Sequence, residues 1–189
     1  MTSRHASPTS KDAAGGVDGF DVLDACHRQT LQMLDKLTEL VERLAKDGAD
    51  VQARTLAAEI VRFFSTTARQ HHEDEERHVF PKLAVSEDPQ IVQAVLRLSQ
   101  DHNWLEEDWM EVSPQIDSVA CGLSWHDLDV LREGVEVFSA LSRDHIALEE
   151  SLIYPHARVR LDPRERLEMG REMAKRRRTL RGAKSASDR

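Results

Sequence analysis

Apolar residues recur at steps of three and four through most of this 189-residue chain, the spacing of amphipathic helices. Four stripes can be traced. The first runs Leu23, His27, Leu31, Leu34, Leu37, Val41, Leu44, and the second Leu56, Ile60, Phe64, Thr67, His71, Glu75. The third is Ile91, Val95, Leu98, His102, Leu105, Trp109, Val112; the fourth is Leu128, Leu131, Val135, Phe138, Ser142, His145, Glu149, Leu152. Local punctuation sets their ends. The first helix is predicted from about Phe20 to Lys46, stopped by Asp47-Gly48. The second starts after the cap residue Asp50 and ends near Phe80, because Pro81 cannot continue it without a kink. Asp88-Pro89 opens the third, which reaches about Val112, with a short helical remnant up to Cys121-Gly122. Ser124-x-x-Asp127 reads as a capping box for the fourth, which ends at Tyr154-Pro155. A further helix follows Asp162-Pro163 and fades near Arg181. Long helices with short connections predict an all-α, up-down-up-down four-helix bundle with a C-terminal helical extension.

Polar residues interrupt every stripe, and they do so in a repeat. The segments from His71 to Pro81 and from His145 to Pro155 both read HxxxEExxx(F/Y)P. A lone histidine precedes each: His27 lies 44 residues before His71, and His102 lies 43 before His145. The chain therefore reads as two helical hairpins, each offering one imidazole from its first helix and an imidazole plus a carboxylate from its second. Helix rise places all four histidines toward the same end of the bundle. His71 and Glu75 share a face, as do His145 and Glu149. The neighbours His72 and Glu76 lie about 100° around the helix, toward its flank.

Burying two carboxylates unpaired would cost several kcal/mol, and facing carboxylates repel; a cation removes both penalties. Four imidazoles and two carboxylates without a thiolate argue against a structural zinc or an iron–sulfur site. Six groups overfill one tetrahedral ion. Two ions, bridged by Glu75 and Glu149 and each held by two histidines, use them fully. The donor set favours iron, with manganese or zinc as substitutes.

Composition then sets the context. There are 26 Lys and Arg against 34 Asp and Glu, and the imbalance is uneven. From Arg158 to Arg189 the chain carries 12 basic and 5 acidic residues, so a basic tail follows an acidic body. Three segments are expected: a flexible leader over 1–19, the bundle over 20–157, and a basic helical tail over 158–189. No apolar run approaches the ~20 residues of a membrane span. Two cysteines without a CxxC pair, and a leader without a hydrophobic stretch, point to the cytoplasm. The run Lys175-Arg-Arg-Arg178, with Arg181 and Lys184, lacks interleaved aromatics and any DNA-reading motif, so nucleic acid is disfavoured below association with the acidic body.

The doubled HxxxEExxx(F/Y)P segments, each with a preceding lone histidine, resemble the hemerythrin-like (HHE cation-binding) family over roughly Phe20 to Pro155. The resemblance implies a non-haem di-iron centre bridged by carboxylates and an oxo or hydroxo group. Its ligands would be His27, His71, Glu75, His102, His145 and Glu149. Oxygen-carrying hemerythrins have a second histidine four residues after the third-helix ligand; this chain has Glu106 there, a candidate seventh ligand. His72, His78 and Tyr154 are candidate supporting groups around the ligands. The resemblance implies a protein that binds or reacts with a small oxidant (dioxygen, nitric oxide or peroxide) for sensing, storage or detoxification. The alternatives are an iron-handling or iron-centre repair protein and a metal-stabilised regulatory module. The latter would find a protein partner through its basic tail, so deleting residues after Arg160 would abolish partner binding yet leave the metal centre intact.

Overall fold

A computed structural model describes residues 16–187. Residues 1–15 of the expected leader, and the side chains of Arg181 and Lys184, lie outside the described residues. Asp18 caps α1 (Gly19–Asp47) by accepting the Phe20 N–H, and Asp50 caps α2 (Val51–Arg62) by accepting that of Ala53. A π-helical segment, Phe63–Ala68, joins α2 to α3 (Arg69–His78). Pro81 lies in the short α4 (Phe80–Leu83), set off from α3 at Val79. Next come α5 (Pro89–Ala120) and α6 (Leu128–Leu148), then a second π-helical segment at Glu149–Ile153. The chain ends in α7 (Tyr154–Arg160) and α8 (Pro163–Ser187).

Three internal boundaries differ from the sequence expectation, and α8 runs to Ser187 rather than fading near Arg181. Helix α5 runs through Pro114 rather than stopping near Val112. Pro114 sits on the exposed face, where the carbonyl it leaves unpaired meets water, while Ile116 and Val119 extend the buried stripe. Helix α6 begins four residues later than expected, because the Asp127 carboxylate accepts the N–H groups of Asp129 and Val130 and makes the cap. The helical path also continues past Pro155 to Arg160: the second π-helical segment precedes α7, and Pro155 falls in its first turn, where no N–H is required.

Helix α1 packs on α2 and α6, and α5 packs on the same two, so the four long helices close into a bundle. Its interior is divided. One apolar cluster is built around Leu37, Ile60, Phe64, Trp109 and Phe138; the other is built around Phe20, Leu83, Leu98, Ile153 and Tyr154. The histidine and glutamate layer lies between them.

The tail is part of this structure. Helix α8 lies on α1, with Met169 and Met173 buried in the second cluster. The helices meet at two glycines, where an added Cβ at Gly170 would stand 2.0 Å from the Val17 carbonyl oxygen. A Cβ at Gly19 would stand 2.5 Å from Cγ of Met169. Arg176 and Arg177 both hydrogen-bond the buried carboxylate of Asp74, while Arg158 pairs with Asp24 and Arg166 with Asp18. Arg158, Arg166, Arg176 and Arg177 of the tail thus meet the acidic body of their own chain. Among the described residues no helix is long and apolar enough to cross a membrane.

Candidate metal centre

The six groups singled out in the sequence converge. His27 comes from α1, His71 and Glu75 from α3, His102 from α5, His145 from the end of α6, and Glu149 from the start of the second π-helical segment. All six are at most 5% exposed. Nε2 of His27 lies 3.1 Å from Oε2 of Glu149 and 3.9 Å from Oε1 of Glu75. Nε2 of His145 lies 3.1 Å from Oε1 of Glu149. Glu75 places Oε1 at 3.4 Å from Nε2 of His71 and Oε2 at 3.5 Å from Nε2 of His102.

Two overlapping sets result. One donor atom from each of His27, His71, Glu75 and Glu149 lies within 4.8 Å of the others, and the same holds for Glu75, His102, His145 and Glu149. The two glutamates are common to both sets, as bridging carboxylates must be. Several buried atoms here have no hydrogen-bond partner: Oε2 of Glu75, both oxygens of Glu149, and Nε2 of His102 and His145. Unsatisfied buried polar atoms are costly, and their facing one another inside a helical bundle fits a pair of cations.

The second glutamate of each HxxxEE segment has a different task. Oε1 of Glu76 lies 3.0 Å from Nδ1 of His102, and Oε1 of Glu150 lies 3.1 Å from Nδ1 of His27. Each carboxylate accepts the Nδ1 proton and turns Nε2 inward, so each hairpin orients the lone histidine of the other. The aromatic positions follow the same exchange. Phe80 stacks on His102 at 5.3 Å between centroids, and Tyr154 stacks on His27 at 5.1 Å.

Of the supporting groups read from the sequence, Tyr154 reaches the cluster: its hydroxyl donates to Oε1 of Glu75 at 2.5 Å and lies 3.2 Å from Nε2 of His27. His72 is half-buried and faces inward, its ring 4.1 Å from that of His102. His78 does not join the cluster; it meets Glu172 of α8 at 2.8 Å. Glu106, the candidate seventh ligand, is exposed and pairs with Arg69 at 2.8 Å, outside both sets. Sequence reasoning missed Asp101, buried with Oδ2 3.7 Å from Nδ1 of His145. Its place one residue before His102 was the available signal.

Within the layer, burial and neighbouring charges pull the pKa values in opposite directions. Burial opposes protonation of His145, but Glu149 and Asp101 outweigh it and push the pKa up to about 10. Burial likewise opposes protonation of His27 and His102, and their glutamate neighbours raise both. His71 goes the other way, held well below the usual imidazole range by burial and the adjacent His27. Burial and Glu149 raise Glu75; burial also acts against ionised Glu149, but His145 and His27 hold its pKa well below the usual range. A coordinating imidazole must be neutral, so metal uptake should expel protons from the raised histidines. Loading at neutral pH is therefore expected to release at least one proton per chain and to weaken as pH falls. Because these pKa values are raised, affinity should keep rising with pH above neutrality. Calorimetry in two buffers of different ionisation heat counts the protons; a count of zero would contradict this charge arrangement.

The fold and site define a helical-bundle protein with a buried imidazole and carboxylate cluster suited to cations. Its relatives agree. The hemerythrin HHE cation-binding domain matches residues 18–157, and the chain belongs to that family. A protein of Haemophilus influenzae described as uncharacterized is 31% identical over 158 residues, covering 84% of this chain and 89% of the relative.

Proposed function

We propose that the chain holds two iron ions through His27, His71, Glu75, His102, His145 and Glu149, and binds or reacts with a small oxidant beside them. One observation carries this reading. A cavity of about 50 Å³ adjoins the cluster, lined by His27, His71, His72 and His145, by Phe64, Leu105, Trp109, Phe138 and Ile146, and by the paired Arg69 and Glu106. That space suits a diatomic or a peroxide rather than an organic substrate.

The apolar part of the wall favours an uncharged gas over an ion. Thr30 and Ser142 also line the cavity, but their hydroxyls donate to the carbonyls of Cys26 and Phe138. Tyr154 holds Oε1 of Glu75 by its hydroxyl proton, and burial together with Glu75 and Glu149 keeps that phenol protonated. Cys26 supplies no thiolate, since burial and Glu75 push its pKa up to about 12. Ferrous ions in this place would supply electrons and an open coordination position.

The test is anaerobic loading with Fe(II), followed by exposure to dioxygen, nitric oxide and hydrogen peroxide in separate samples. At least one should produce new charge-transfer absorption in the near ultraviolet or visible. Two bound ions with no spectral response to any of the three would overturn the oxidant reading.

A further inference from the structure

The exposure of the cavity's lining residues marks where it meets solvent. Among the described residues that line it, only Arg69 and Glu106 are exposed; His72 is half-buried and the others are buried. The two exposed residues stand on different helices, Arg69 at the start of α3 and Glu106 within α5. Nη2 of Arg69 lies 2.8 Å from Oε1 of Glu106, so the pair spans the mouth of the cavity. Arg69 lies two residues before His71 and Glu106 four after His102, which puts this span about one helical turn from the layer.

The span is built to open. Its side chains are 57% and 46% exposed, and an ion pair so open to water is weak and screened by salt. Long exposed side chains change rotamer within nanoseconds. A guanidinium that leaves Glu106 also has a second place to go. Arg69 borders a wide surface cleft as well, and there Glu73 stands four residues along α3, at ion-pair spacing.

We infer that the Arg69–Glu106 pair is the gate of the cavity, crossing its mouth from α3 to α5 and setting how fast an external molecule enters and leaves. This rests on the reading that the cavity receives a small oxidant, and it adds the route. A neutral diatomic or hydrogen peroxide passes when the pair swings apart. An ion must instead leave water for the apolar interior beyond, which is costly.

Dioxygen at raised pressure quenches the fluorescence of an indole that it can reach. Trp109 lines the cavity, whereas Trp104 and Trp125 are exposed. The full-length chain carrying Trp104→Phe and Trp125→Phe keeps Trp109 as its sole tryptophan, and zinc replaces iron because it has no redox chemistry. Adding Arg69→Ala or Glu106→Ala should raise the Trp109 quenching constant by about 2- to 5-fold. Molar salt should do the same to the paired chain and nothing to the variants. Arg143→Ala, which breaks an exposed pair with Asp35, should change nothing. Quenching unchanged in both gate variants, or raised equally by Arg143→Ala, would overturn the assignment. In the Fe(II)-loaded chains, association and dissociation of nitric oxide should quicken together and leave its affinity fixed; an altered affinity would place the pair at the metals and overturn the gate. A wild-type iron form indifferent to dioxygen, nitric oxide and peroxide would instead overturn the oxidant reading, and the quenching, which uses no iron, would still decide the gate.

Discussion

Glu149→Leu is expected to reduce the iron retained after anaerobic reconstitution from two ions per chain to fewer than one. Glu149 belongs to both four-group sets, and its oxygens lie 3.1 Å from Nε2 of His27 and from Nε2 of His145. Leucine fills similar volume on the same helical face, so the loss is one of ligand charge rather than of packing. On the proposed two-iron reading, the six-group set would then keep one carboxylate, Glu75, to offset two dications, and a charge left uncompensated in the interior costs several kcal/mol. Glu106→Leu is the informative contrast. That carboxylate pairs with Arg69 on the rim, and its loss should leave both ions bound. Metal analysis of the two proteins decides the matter; a Glu149→Leu protein that still holds two ions would remove Glu149 from the site.

The second large effect belongs to the tail. A chain ending at Arg160 is expected to melt roughly 10–20 °C below the full-length protein. Truncation uncovers the surface under Met169 and Met173, each worth about 1.5–3 kcal/mol when buried, and takes both arginines from the buried carboxylate of Asp74. Asp74 immediately precedes Glu75, so the loss should also be felt as weaker metal retention. This prediction runs against the expectation that residues after Arg160 can be deleted without disturbing the centre. The physical reason is that a helix read from charge alone hides its apolar anchors: two methionines four residues apart among many cations. A thermal midpoint unchanged by truncation would contradict the docked arrangement of α8.

Much of the site could be read because a buried histidine is conspicuous in a stripe of leucine and valine. The α5 stripe from Ile91 to Val112 is buried at every predicted position, His102 included. The π-helical segments left no such mark. Each widens one turn, so positions around it move by a residue: Ala68 is buried where the 3.6-residue spacing selected Thr67, and Ile153 where it selected Leu152. Alanine adds to the difficulty, since Ala57 rather than the bulkier Leu56 faces inward. His72 stands about 100° from His71, the flank of an isolated helix, and in the closed bundle that flank faces α5, where its ring stacks on that of His102. The partners of Asp74 lay a hundred residues away, beyond any local pattern.

The exchange of glutamates between hairpins makes each depend on the other. A polypeptide carrying just one such hairpin would aim Glu76 or Glu150 at an imidazole it did not possess. Only by meeting its twin, face to face, would it steady that ring and gather a full set of donors. A single chain that carries both hairpins needs no second copy to complete either ring's support, and its halves need not be identical: Tyr154 stands where the other hairpin has Phe80.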